Sequence, residues 1–218
     1  MRKLVVAVGV LMALGVGGDF ALRLAVEKAA ENHLRDQNDL KGDGIEITIG
    51  DFPFIPSLLE QRLDRATFTA ERVREQGVEL ESFSMELRDI SISEPGFRGM
   101  EDLRFVQVNR GTGRAAIALG TLERLAERNG VEVDLSVTTS GAMTACPRGI
   151  DCGDDAAATV AIDPDGVAGV LVIEGPAPLP PIRLTLPEPV DGVRFDSVKV
   201  AGDRVELTLA IRDIDFFL

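Results

Sequence analysis

Apolar and polar residues alternate along much of this chain, with the period of two that sets one face of a strand on a core and the other in water. Ile45, Ile47 and Ile49 alternate with Glu46 and Thr48, and Ala66, Phe68 and Ala70 with Thr67, Thr69 and Glu71. Phe83, Met85 and Leu87 share one face, opposite Ser84, Glu86 and Arg88. Ile90 and Ile92 continue on the face of Ser84, which predicts a bulge near Arg88 or Asp89. Phe105 to Val108 and Arg114 to Leu119 flank Asn109 to Gly113 and read as a hairpin with a short loop. Val131, Val133, Leu135 and Val137 form another strand. Asp163-Pro164-Asp165-Gly166 is a turn signal between strands at 159–162 and 167–172, and Gly202-Asp203 joins strands at 193–200 and 205–211.

The helical period is rarer. Leu22, Val26, Ala29, Ala30, His33 and Leu34 recur at three- and four-residue spacing, which predicts a helix over 20–37, broken by Lys41-Gly42-Asp43-Gly44. Asp51 to Ser57 is a short apolar corner, after which Ser57 caps a brief helix carrying Leu58, Leu59 and Leu63. Thr121 to Arg128 reads as a short helix with Leu122 and Leu125 inward and Gly130 ending it. Only Gly175 to Pro181 has linker composition. The class is therefore α+β: a mostly antiparallel sheet with one long N-terminal helix and two small ones.

The first residues point to export. Arg2 and Lys3 precede the uncharged run Leu4 to Val16, the layout of a secretory signal. As a helix that run spans about 20 Å, short of the ~30 Å hydrocarbon core of a bilayer. Gly15, Gly17 and Gly18 are small enough to admit a signal peptidase, although no A-x-A site is present. The alternative is an uncleaved anchor extended by Phe20 to Val26, with Asp19 and Arg23 snorkelling. Residues 1–18 are read as signal peptide or signal anchor and 19–218 as a single domain. Cys146 and Cys152 have five residues between them, including Pro147 and Gly149, and follow the signal; a disulfide worth about 2 kcal/mol is expected.

Composition then narrows the chemistry. A net charge of −13 argues against nucleic acid as a partner. The single His, His33, leaves no room for a multi-His metal site or an ordinary catalytic triad, and no cofactor motif occurs, so no cofactor or metal is expected. Paired acids are the remaining catalytic option: Glu101-Asp102, Asp154-Asp155, and Asp213 with Asp215. Asp151, Asp154, Asp155, Asp163 and Asp165 lack EF-hand spacing. With no Trp or Tyr to form a sugar platform, the abundant chemistry is apolar, carried by ten Phe and many aliphatic residues. These residues either fill a core or line a lipid-sized groove.

Residues 45–73 (IEITIGDFPFIPSLLEQRLDRATFTAERV) resemble the signature of the LmeA-like family of actinobacterial envelope proteins. Gly50, Phe52, Pro53, Phe54, Leu58 and Leu59 fill its glycine, Phe-Pro-Phe corner and leucine-helix positions, while Gln61-Arg62-Leu63-Asp64 stands where the family often has a Gly. Residues 78–92 and 186–213 resemble it too. The resemblance implies a non-enzymatic phospholipid-binding protein of the periplasm or cell envelope. It implies a TULIP-like fold, a curved antiparallel sheet wrapped around a long helix and holding acyl chains in a groove. Phe52, Phe54, Ile55, Leu58, Leu59, Phe68, Phe83, Met85 and Leu87 are then the groove candidates, and Arg62, Arg65 and Arg72 the head-group candidates. Membrane association and a link to envelope glycolipid (lipomannan-type) metabolism or lipid transfer are also implied. The alternatives are a scaffold subunit of an envelope enzyme and a carboxylate-dependent glycolipid enzyme.

Overall fold

The computed structural model describes residues 18–29, 31–32, 41–75, 78–93, 105–150, 152–153, 156–162, 170–176, 179–186 and 192–216. The apolar run Leu4 to Val16, His33, Glu101-Asp102, and Asp151, Asp154, Asp155, Asp163 and Asp165 lie outside them.

The alternating segments become strands of an α+β fold dominated by antiparallel sheet. Six strands pair in the order β1-β2-β3-β4-β11-β10. They are β1 (Lys41–Ile49), β2 (Arg62–Glu75), β3 (Val78–Ser93), β4 (Phe105–Ala118), β10 (Val193–Ala201) and β11 (Arg204–Phe216). A hairpin of β5 (Val133–Val137) and β6 (Met143–Pro147) and a three-stranded sheet of β7 (Thr159–Ile162), β8 (Val170–Glu174) and β9 (Ile182–Thr185) complete the strands among the described residues. Helix α1 has helical residues 18–29 and 31–32. Helix α2 is Phe54–Leu59 and α3 is Leu119–Arg128.

The long N-terminal helix expected over 20–37 is not borne out among the described residues: α1 is short there, Ala29 is exposed, and Ala30, His33 and Leu34 lie outside them. Leu22 and Val26 pack against the sheet. Asp19 and Arg23 do not take the snorkelling roles expected of them. Asp19 is buried, its carboxylate accepting the backbone N–H groups of Phe54 at 2.8 Å and Ile55 at 2.6 Å. Arg23 pairs with Glu27 at 2.9 Å, and buried Glu27 accepts the N–H of Ile49 at 2.7 Å. This segment is part of the folded domain because its acids satisfy backbone donors that burial would otherwise orphan.

The expected hairpin at 105–119 is instead one strand, β4. Asn109 to Gly113 has turn composition, yet its glycines are small for the sake of packing. A Cβ on Gly111 would lie 2.7 Å from the Glu86 carbonyl oxygen, and one on Gly113 2.9 Å from Leu209 Cδ1. Lacking side chains, they let β4 lie flat between β3 and β11, with Leu209 leaning over Gly113.

The face switch in β3 is real, but it is not a bulge. Arg88 pairs with Arg110 and Ile90 with Val108, so the register is unchanged across it. Asp89 takes the left-handed region at φ +52°, which aspartate tolerates better than most residues, and the following side chains change face. Asp213 does the same on β11 at φ +50°, before buried Ile214. Arg110 Nε holds the Asp89 carboxylate at 2.6 Å.

The helix placed after Ser57 starts earlier, at Phe54. Pro53 sits at its N-cap, and the Ser57 hydroxyl donates to the Pro53 carbonyl at 3.2 Å. Leu63 belongs to β2. Helix α3 matches expectation: Leu122 and Leu125 are buried, and Gly130 follows at φ +80°. Cys146 and Cys152 form a disulfide with Cα atoms 6.1 Å apart.

Candidate functional site

The inner face of the six-stranded sheet is covered at both ends. At one end α3 and β5 to β9 close over it. Leu122, Leu171, Ile173, Leu184 and Leu207 are sealed there with β4 and β11 side chains. Glu123 of α3 accepts the Leu135 N–H at 2.7 Å, tying the helix to β5. At the other end α1 and α2 cover Ile49, Leu63, Ile90, Val108 and Ile214.

Between these covers the described residues leave an apolar stripe half-buried. Leu80, Phe83, Met85 and Leu87 follow one another along β3. Beside them the pairing places Ala70 opposite Phe83, Phe68 opposite Met85 and Ala66 opposite Leu87, with Ile47 of β1 opposite Phe68. Phe68 and Phe83 meet edge to face, with centroids 5.9 Å apart, so the middle of the stripe is a fixed aromatic contact. From Leu80 to Leu87 the strand runs roughly 23 Å.

The groove candidates therefore separate into three groups. Phe83, Met85 and Leu87 line the stripe, and Phe68 forms its mostly buried base. Phe54 is fully buried and acts as core, with Leu58 half-buried beside it. Phe52 and Leu59, each 67% exposed, and Ile55 point outward, as do Phe20 and Leu24 of α1. Asp19 brings the start of α1 to the start of α2, so Phe20, next to it in the chain, lies near the α2 end that carries Phe52 and Ile55. The Phe-Pro-Phe motif thus puts one ring in the core and one in solvent.

The head-group candidates Arg62, Arg65 and Arg72 are all exposed on β2. Arg65 pairs with Glu86 at 3.2 Å and packs its stem over Gly50. Arg72 has φ +49°. They do not gather at one opening. Three other arginines do: Arg74, Arg124 and Arg128 surround a cleft of about 270 Å³ whose apolar lining is Val78 and Leu125. The four-residue spacing of Arg124 and Arg128 is visible in the sequence as one helix face. Their meeting with Arg74 is tertiary and has no local signal. A second cleft, about 580 Å³, lies between the start of α3, residues 135–137 and the Gly202-Asp203 turn.

The buried carboxylates have structural partners. Besides Asp19 and Glu27, Asp51 accepts the backbone N–H groups of Asp64 and Arg65 at 2.8–3.1 Å. Among the described residues no three His, Cys, Asp or Glu side chains gather to hold a metal ion, and no helix is long and apolar enough to cross a membrane.

A family model described as LmeA-like phospholipid-binding matches residues 17–216. No curated protein matches the chain, and no solved structure does.

Proposed function

The chain belongs to the LmeA-like phospholipid-binding family, and we propose that it holds the acyl chains of a phospholipid on the β3 stripe, without chemistry, in the cell envelope. The observation that carries this reading is the half-buried run Leu80, Phe83, Met85 and Leu87 between two covered ends. Its length of roughly 23 Å exceeds the ~15 Å of hydrocarbon in one leaflet of a bilayer. Six methylenes removed from water there contribute about 5 kcal/mol, and an apolar surface of this kind discriminates weakly between chain lengths.

The proposed setting is the periplasmic side of the plasma membrane, reached through the N-terminal apolar run as a cleaved signal or an anchor. The outward corner of Phe20, Leu24, Phe52, Ile55 and Leu59 faces the lipid surface in this reading. Leu4 to Val16 ends four positions before Phe20, so an anchor would hold that corner against the bilayer. The proposed role is to supply or transfer lipid for envelope glycolipid synthesis of the lipomannan type.

The test is mass spectrometry of organic extracts of the purified protein, with uptake of a fluorescent phospholipid. Bound phospholipid and saturable uptake are expected. Met85→Asp is expected to weaken uptake about tenfold, the equivalent of roughly two buried methylenes. A protein free of lipid and inert to the probe sinks the proposal.

A further inference from the structure

We propose that the cleft between the β2–β3 hairpin end and α3 is a phosphate site, and, resting on the phospholipid reading above, that it takes the head-group phosphate of a lipid whose chains lie along β3. The chain carries a net charge of −13, yet this cleft is lined by Arg74, Arg124 and Arg128 with Glu79 as its one carboxylate among the described residues. The local sign is thus opposite to that of the whole molecule, and an anion is directed to this opening.

The guanidinium groups are differently engaged. Arg74 pairs with Glu79 at 3.0 Å. Arg124 donates to the hydroxyl of buried Thr121 at 2.8 Å and pairs with no carboxylate among the described residues. That bond fixes the orientation of a planar donor fork suited to two phosphate oxygens. Helix α3 has acids of its own, but they are used elsewhere: Glu123 on the Leu135 N–H and Glu127 on Arg148 at 3.2 Å. One side of the helix therefore presents cations to the cleft.

Position joins the cleft to the stripe. Val78 lies in the cleft lining and opens β3, and Leu80 and Phe83 follow it on the stripe. Val78 and Leu125 make the inner wall apolar just below the arginines. A phosphate at the rim and hydrocarbon along β3 match the two ends of one lipid.

The test uses the full chain and compares Arg124→Gln/Arg128→Gln with Arg194→Gln/Arg212→Gln, which removes two exposed charges from β10 and β11. Three probes are titrated: vesicles of phosphatidylglycerol, inorganic phosphate, and a neutral fluorescent hydrocarbon. The α3 pair is expected to bind phosphatidylglycerol at least tenfold more weakly than wild type, with hydrocarbon uptake and melting temperature unchanged, while the control pair behaves as wild type. Wild-type binding of inorganic phosphate that the α3 pair abolishes, without uptake of either apolar probe, keeps the anion site, assigns it to free phosphate and refutes the lipid reading. Equal phosphatidylglycerol binding by wild type and the α3 pair, equal losses in both pairs, or no binding of either phosphate-bearing probe by wild type overturns the proposal.

Discussion

The two ends of the six-stranded sheet are held by different forces. At the α3 end, aliphatic side chains from a helix and three sheets fill one continuous cluster, and its buried polar side chains are the hydroxyls of Thr121 and Thr144. At the α1 and α2 end, the cluster is smaller, and three buried carboxylates, Asp19, Glu27 and Asp51, join the elements by gripping backbone N–H groups. Apolar burial is non-directional and grows with area. A carboxylate on an amide is directional, so it fixes a short helix without burying that helix all round. That is how α2 is held in place while Phe52, Ile55 and Leu59 remain outside. One end stabilises the sheet; the other positions an apolar surface.

The comparison is broken most directly by truncating each end. Leu122→Ala removes a fully buried side chain of α3 and is expected to destabilise the fold by about 2–5 kcal/mol, measured by denaturant unfolding. Asp19→Ala leaves the Phe54 and Ile55 amides without their acceptor. An expected cost of about 1–3 kcal/mol follows from orphaning buried donors, and hydrogen exchange is expected to quicken first at those two amides. Asp19→Asn recovers part of the loss, since its one carbonyl oxygen still accepts. A larger loss from Asp19→Ala than from Leu122→Ala would reverse the assignment of the two ends.

The sequence reveals the two ends unequally for the same reason. The α3 end is built from local periodicity: Leu122 and Leu125 on a helix stopped by Gly130, and alternating Val133 and Leu135, are all visible before folding. Strands β6 and β9 escape notice because each is short and its neighbours are set by tertiary pairing. At the other end, Asp19 and Glu27 look like surface or interfacial charges, since nothing local announces partners 35 and 22 positions away. Gly111 and Gly113 mislead in the same way, because turn residues and close-packing residues are both glycine. The face switch of β3 is legible as a change of parity, but parity alone does not separate an inserted residue from a left-handed Asp89. Of the candidate site, Phe83, Met85 and Leu87 are legible from alternation. Arg74 beside Arg124 is not, because it depends on how the β2–β3 hairpin end meets α3.

The smallest expected effect tests whether location, rather than charge, gives the acids of this chain their weight. Glu206 on β11 bonds Lys199 on β10 at 2.9 Å, on the outer side of the sheet. That hydrogen bond holds its carboxyl below the usual range, against slight desolvation, with added attraction from Lys199, Arg204 and Arg114. A carboxyl lowered by folding adds stability above its unfolded value, about 4.3 for Glu, and loses that contribution as pH falls through the folded value. The pair is solvent-screened, so Glu206→Gln is expected to cost no more than about 0.5 kcal/mol at neutral pH. The difference from wild type is expected to shrink as pH falls below about 4.3 and to vanish below the folded value, and also in about 1 M salt, where the screening length falls to ~3 Å. Asp19 is also a carboxylate side chain and is expected to matter several-fold more, because it is buried and accepts two backbone amides, that of Phe54 buried as well. Thermal melts of Glu206→Gln and Asp19→Ala across pH 3–8 decide the point, and equal losses at pH 7 would show that net charge, not the buried carboxylate-to-amide bonds, sets the stability of the α1 end.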